Sequence, residues 1–357
     1  MTAEAPLRLG SRKSPMAISQ SGDVARLVSE RTGRRVEIVG VTTLGDVSRE
    51  QLTQIGGTGV FVSALRESLL SGYVDFAVHS LKDLPTGAAP GIALAAVPPR
   101  DDPRDALVGR DGAKLADLPS GARIGTGSPR RAAQIATLRS DISCVPIRGN
   151  ANTRLAKVRD GELDAVVLAY AGLARIGHTD LVSEIFEPDA MVPAPGQGAL
   201  AVECRAEDAE LAALLATVDD PVTRAAVTAE RSLLGALEAG CSAPVGAYAC
   251  TSAGTGRLRL DAVVLGIPAV VIRGDDPPYP PAARPMAKAA IVPDARTFTR
   301  GALDSGAAVG RMVIRERGEA DPVEAGRLGR ELAARMLALG AADLMRVEKT
   351  NGNDAHD

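Results

Sequence analysis

Tryptophan is absent from this chain, and aromatic residues altogether make up only 2% of it. That poverty removes the stacking platforms on which single-stranded nucleic acid is held, and a formal net charge of −3 offers no basic surface for a duplex. Nucleic acid is therefore not expected as a partner. Histidine is nearly as scarce: His79, His178 and His356 are too few for a multi-His metal site or an ordinary His-based triad, and no metal is expected. The four cysteines, Cys144, Cys204, Cys241 and Cys250, lack metal-ligand or redox spacing and read as reduced thiols. No uninterrupted apolar run is long enough to cross a bilayer, so no membrane partner is expected. Met1 to Pro6 lacks the basic and apolar regions of a signal peptide, which predicts a cytoplasmic protein.

What is present is a globular composition, 45% apolar and 24% charged over 357 residues, enough for two or three domains. The most informative stretch is Val78-His79-Ser80-Leu81-Lys82-Asp83-Leu84-Pro85. It follows the β-favouring run Tyr73 to Val78, and Pro85 can neither continue a strand nor enter a helix interior. An imidazole, a hydroxyl, an ammonium and a carboxylate are thus predicted on a strand-end loop, the place where open α/β sheets bind ligands.

A repeat organises the rest. Leu7 to Ser11 reads as a strand, followed by Arg12-Lys13-Ser14-Pro15 and a helix to about Glu30; Arg123 to Gly127 reads as a strand, followed by Ser128-Pro129-Arg130-Arg131 and a helix. Likewise Gly72-Tyr73-Val74-Asp75-Phe76-Ala77-Val78 is echoed by Gly161-Glu162-Leu163-Asp164-Ala165-Val166-Val167. Two similar α/β lobes with mainly parallel sheets are predicted, enclosing a cleft. Each Ser-Pro helix start favours an anion, and Arg12, Arg130, Arg131, Arg148, Arg154 and Arg175 recur at such helix starts and strand ends. A guanidinium takes a carboxylate or phosphate bidentately and keeps its charge, so a ring of them implies a ligand with several such groups.

Val97 to Asp105 and Val192 to Gly198 read as segments crossing between lobes, and Ala199 to Arg205 as a strand returning to the first. The predicted fold is α/β: two periplasmic-binding-protein-like lobes with a hinged cleft, plus a smaller α+β third domain. The expected division is residues 1–98 with 199–217, residues 99–198, and residues 218–357. The third domain should hold a helix from Thr223 to Leu237, the turn Glu238 to Pro244, strands near Val245 to Ala249 and Leu258 to Leu265, and a closing amphipathic helix from Val323 to Arg346. An insertion is expected over about 267–322, where Gly274-Asp275-Asp276-Pro277-Pro278-Tyr279-Pro280-Pro281 breaks regular structure, and a disordered tail from Thr350.

Taken together, Arg12-Lys13-Ser14-Pro15, the 78–85 stretch, Gly127-Ser128-Pro129-Arg130-Arg131, Arg148-Gly149-Asn150, Pro195-Gly196-Gln197-Gly198 and Gly240-Cys241 closely resemble the porphobilinogen deaminase (hydroxymethylbilane synthase) family. The resemblance runs from about Leu7 to Gly266 and resumes at the C-terminal helix. It implies a transferase that condenses four porphobilinogens with loss of ammonia and releases hydroxymethylbilane. It implies a dipyrromethane cofactor held by a thioether to Cys241, and Asp83 as the catalytic carboxylate that stabilises positive charge on pyrrole nitrogens. Cofactor and substrate carboxylates would be held by Arg12, Ser14, Ser80, Lys82, Ser128, Arg130, Arg131, Arg148, Arg154, Arg175 and Gln197. The implied partners are porphobilinogen and oligopyrrole intermediates, and the implied state is a monomer.

Gln54 and Thr58 stand where many family members carry lysines, and Ala239 stands in place of the first of the usual two glycines before Cys241. The glycine-rich stretch with Gly56, Gly57, Thr58, Gly59 and Phe61 is expected to be a mobile lid loop. His79 is expected to support its loop rather than transfer protons, and Cys204 to lie in a core. A hinged two-lobe fold also suits a non-catalytic anion-binding protein; the pairing of Asp83 in the cleft with Cys241 in a third domain argues for the enzyme.

Overall fold

The computed structural model describes residues 5–41, 57–240, 243–266 and 313–345, with the backbone alone for 57–61. Its first elements are β1 (Leu7–Arg12), α1 (Pro15–Thr32), β2 (Val36–Val41), α2 (Gly57–Leu70), β3 (Phe76–Ser80) and β4 (Ile92–Ala96). Next come β5 (Asp105–Gly109), β6 (Arg123–Thr126), α3 (Pro129–Leu138), β7 (Ser143–Pro146), α4 (Ala151–Arg159), β8 (Ala165–Ala169), α5 (Tyr170–Arg175) and β9 (Glu184–Ile185). The remainder comprises β10 (Leu200–Arg205), α6 (Ala209–Leu215), α7 (Pro221–Ala236), β11 (Val245–Thr251), β12 (Leu258–Leu265), β13 (Val313–Ala320), α8 (Ala325–Ala338) and α9 (Ala341–Met345). No helix among the described residues is long and apolar enough to cross a membrane.

The two five-stranded sheets share one plan, with orders β2-β1-β3-β10-β4 and β7-β6-β8-β5-β9. In each, the first three strands pair in parallel and the fourth runs against both its neighbours. The expectation of mainly parallel pairing is corrected to equal numbers of parallel and antiparallel pairs. The cause is the double crossover: β5 and β10 each arrive straight from the other lobe, so each enters its new sheet reversed. The predicted return of Ala199 to Arg205 is β10, seated between β3 and β4.

The repeated sequence motif repeats in geometry. Asp75 accepts the Arg8 backbone N–H at 2.7 Å, and Asp164 accepts that of Arg123 at 2.8 Å, so each aspartate clamps the start of the strand beside its own. Ser14 and Ser128 cap α1 and α3, accepting from Ala17 N and Arg131 N at 3.3 and 3.4 Å. Both sheets are covered on both faces, which explains why their strands read as unbroken apolar runs rather than alternating ones. On the first, Leu9, Phe76, Val202 and Cys204 pack under α1 and α6, while Leu65, Leu69 and Val74 pack on the opposite face.

The third sheet, β11-β12-β13, is antiparallel and buries one face under α7 and α8. It corrects the expected extent of the insertion. Residues 313–320, assigned to that excursion, form β13 and pair with β12 along its whole length. The strand escaped detection because it lies at the sheet edge: Arg315, Glu316, Arg317 and Glu319 face partly or wholly outward, leaving Ile314 and Ala320 buried. Residues 267–312 and the tail lie outside the described residues. The closing helix is also shorter than the leucine spacing predicts. It ends at Ala338, Gly340 takes a left-handed φ of 96°, and Leu337 and Leu339 remain exposed while Leu328 and Leu332 are buried.

Candidate active site

The stretch that carries Lys82 and Asp83 folds as a 3-10 turn, Leu81–Asp83, directly off β3. Its sequence explains its aim. Leu81 and Leu84 are buried with Val97, Ala199 and Ala201, and Leu81 N donates to Ala199 O at 3.0 Å. Two apolar anchors thus flank a polar pair that is left facing a cavity of about 600 Å³ between the lobes.

Of the residues expected to bind, the cavity wall brings together Arg12, Ser14, Ser80, Lys82, Arg131, Arg154 and Arg175, with Asp83 among them. Asn150, which caps α4 by accepting from Thr153 N at 2.9 Å, and Asn152 were not singled out from sequence as ligand-binding groups. Five cations therefore face the cavity against one carboxylate, Asp83, among the described lining residues. Asp83 takes part in no hydrogen bond or ion pair among the described residues, so its oxygens are available as acceptors.

Four expected binders stand elsewhere. Gln197 is buried behind the wall, where Lys82 Nζ donates to its Oε1 at 3.2 Å and its Nε2 donates to Pro103 O and Asp105 Oδ1 at 2.7 and 2.8 Å. Arg130 is buried, with Nη1 donating to Val192 O at 2.6 Å and lying 2.8 Å from Asp105 Oδ2. Ser128 is off the wall and serves as the α3 cap, and Arg148 is exposed outside it. The lid expectation is corrected in part: Gly57, Thr58, Gly59 and Phe61 have helical backbone in the opening turns of α2 rather than forming a loop, despite the glycine cost there. Gly56 and Cys241 lie outside the described residues.

Asp105 is the group that sequence reasoning missed. Arg131 donates to its Oδ1 from Nε and Nη2 at 3.0 and 2.7 Å, and both partners are buried. Burial pushes its pKa up, but Arg130 and then Arg131 outweigh that and hold it well below the usual carboxylate range. The pKa of Lys82 is lowered too, to about 8, by burial first and then by the charge of Arg131. Arg154 is also lowered, by burial and then Arg131. A second buried carboxylate, Glu203, supports β3 from β10. Arg66 of α2 donates to it at 2.6 and 3.0 Å, and His79 Nε2 lies 3.2 Å from it, which suits the supporting role expected of His79. The usable signal in both cases was an acid inside an otherwise apolar strand.

The third buried acid, Glu230 of α7, had no such signal. Its two oxygens accept Arg100 Nη1 and Nη2 at 2.6 and 3.1 Å, Gly196 N at 2.6 Å and Ala249 N at 2.8 Å. One carboxylate therefore ties both crossing segments to the third sheet. Replacing Glu230 with Ala leaves Nη1 and Nη2 of the part-buried Arg100 and two backbone N–H groups without acceptors, an expected loss of about 3–5 kcal/mol. Denaturant unfolding of the full chain reads this directly, and a loss below about 1 kcal/mol would contradict the tie.

A family model described as porphobilinogen deaminase, dipyromethane cofactor binding domain, matches residues 7–213, more than half of the chain, and the C-terminal domain of the same family matches residues 224–272. The chain belongs to the porphobilinogen deaminase family. It is 64% identical over 250 residues to porphobilinogen deaminase 1 of Streptomyces coelicolor, covering 69% of this chain and 78% of that protein. It is 63% identical to the porphobilinogen deaminase of Thermobifida fusca over 73% of this chain and 81% of that one. The enzyme of Acidothermus cellulolyticus is 45% identical over 98% of this chain and 96% of its own. As a family member the protein is a hydroxymethylbilane synthase, a transferase of tetrapyrrole biosynthesis that uses porphobilinogen and a dipyrromethane cofactor.

The described residues fit that cofactor. Two pyrroles, each with an acetate and a propionate, carry four carboxylates, and the wall supplies Arg12, Lys82, Arg131, Arg154 and Arg175. Arg175 Nε is buried without a hydrogen-bond partner, a donor in the wall still to be used.

Proposed function

We propose that the cavity between the lobes is where porphobilinogen units are joined, with Asp83 as the catalytic carboxylate and the lining cations as carboxylate binders. The single observation that carries this reading is the charge pattern of the wall, five cations around one uncommitted carboxylate. When bound, the cofactor supplies a nucleophilic pyrrole α-carbon. Arg12, Arg154 and Arg175 take ring carboxylates, Arg131, whose Nε and Nη2 are committed to Asp105, adds a fixed positive charge to the wall, and Lys82 adds a point charge beside them. Asp83, the one acceptor of matching charge, takes pyrrole N–H groups and stabilises the cation that develops as ammonia leaves the aminomethyl carbon. Arg131 is held in place by Asp105, and Lys82 by Gln197. Ser80 lines the same wall and Ser14 orders α1.

Arg130 acts by fixing Asp105, Ser128 by capping the helix that carries Arg131, and Cys241 carries the cofactor thioether. Sheet membership and the two crossings support a division into 1–98 with 199–217, 99–198, and 218–357. The protein acts as a monomer, as the resemblance implies, and the free thiols of Cys144, Cys204 and Cys250 suit the cytoplasm.

Lys82 provides the test. Its ammonium is charged below about pH 8 and is progressively lost above it, so its attraction for a carboxylate fades there. The expected result is that loading of the apoenzyme by porphobilinogen slows as pH rises through about 8, and that Lys82→Arg removes that descending limb. An unchanged limb in the Arg variant would exclude Lys82 as a carboxylate binder. The same shift has a stability consequence of fixed sign: the unfolded chain keeps this proton to about 10.5, so this group's contribution makes stability rise with pH between about 8 and 10.5.

A further inference from the structure

The guanidinium of Arg175, at the end of α5, is already engaged. Its Nη2 donates to Asp101 Oδ2, on the first crossing segment, while its Nε is buried with no partner. The side chains differ in exposure, 10% for Arg175 and 49% for Asp101. This chain displays both ways in which an arginine grips a carboxylate with two nitrogens. Arg66 holds Glu203 through Nε and Nη2, and Arg100 holds Glu230 through Nη1 and Nη2. Each mode uses Nη2, whose two N–H groups can serve two acceptors, as Arg8 shows by giving one to Asp75 and one to the Gly72 carbonyl. A carboxylate arriving from the cavity can therefore close a pair on Nε and Nη2 only with Asp101 as a like charge on the same nitrogen, and the repulsion between the two carboxylates sets them in competition.

We propose that Asp101 is a specificity-determining counter-ion that competes with the substrate carboxylate for Arg175 and is displaced when that carboxylate binds. The proposal rests on the reading above that Arg175 takes a substrate carboxylate. Asp101 is built to stay close rather than follow the arginine. Its backbone N donates to Gly198 O at 3.1 Å, and a Cβ on Gly198, whose φ is +86°, would lie 2.5 Å from Asp101 O. The two crossing segments thus lock each other, and Asp101 makes no other side-chain contact to a cation among the described residues. Half exposed, its pair with Arg175 is of the weak kind that a better-desolvated carboxylate displaces. The pair also spans the crossing segment and the second lobe, while Ser19 Oγ of α1 in the first lobe donates to Arg175 O at 3.4 Å. Exchange at this arginine therefore happens where both lobes meet.

The test is steady-state kinetics on the cofactor-loaded full chain with porphobilinogen, comparing the parent, Asp101→Asn, Arg175→Gln and the double variant, with intact mass confirming equal loading. Removing the competitor should lower KM about threefold, the range of an exposed ion pair, with kcat unchanged or reduced. In the Arg175→Gln background the Asp101 substitution should leave KM where it is. If Asp101 merely props the arginine in place, Asp101→Asn raises KM instead, and that result, or no change, overturns the competition. If Arg175→Gln alone leaves KM unaltered, the carboxylate role of Arg175 falls and the competition with it. A raised KM in Arg175→Gln together with no decrease in Asp101→Asn removes the competition alone.

Discussion

Asp83→Asn should reduce kcat for porphobilinogen by about 10³-fold or more while leaving the cofactor attached and KM nearly unchanged. The side chains are close in shape, so packing of the 3-10 turn on Leu81 and Leu84 is preserved. What is lost is a charge in a wall whose other ionised groups are all positive. In the parent, that carboxylate lies where cationic character grows on the pyrrole as ammonia departs; an amide there offers only a dipole, and a fixed, partly desolvated charge is worth about 10²–10⁴ in rate. Since a factor of 10³ corresponds to about 4 kcal/mol of barrier, this is a large share for one group. Single-turnover rates on the loaded variant separate chemistry from product release. Turnover within about tenfold of the parent would remove Asp83 from the catalytic role.

Cys241→Ala should abolish covalent loading altogether, and with it consumption of porphobilinogen. The chemistry of the other thiols favours this assignment. A thiol must ionise to act as a nucleophile, and burial pushes Cys144 up to about 12 and raises Cys204 as well. Cys250, half buried on β11, is the remaining competitor. Cys250→Ala should load and turn over like the parent. Covalent pyrrole mass retained in Cys241→Ala and lost in Cys250→Ala would reassign the anchor.

The sequence made the repeat, both Ser-Pro caps and the polar turn after β3 readable because each is a local pattern with a local physical cause. The β10 return was readable from Leu200 to Arg205 as an apolar run following a Pro/Gly segment, and the direction of pairing was not, because reversal follows from which lobe the chain has just left. The arginine set illustrates the same limit inside the site. Arg130 and Arg131 are adjacent and look equivalent, yet one lines the cavity and the other is turned inward on Asp105 and Val192. Both reach Asp105, and their difference is set by the Val192 carbonyl, 62 residues downstream of Arg130, which no spacing rule exposes. Glu230 is hidden for a similar reason: its four hydrogen bonds come from three separate segments. Edge strand β13 was missed because an edge needs little apolar surface.

The measurement that bears most directly on the central claim is the intact mass of the full chain as purified, and again after brief exposure to porphobilinogen at about equimolar concentration. The account predicts a covalent increment of two linked pyrrole units at the start, then additional species spaced by one unit each, which disappear as product is released. Bare polypeptide mass both before and after exposure would contradict it, and would leave a two-lobe chain that binds anions without joining pyrroles.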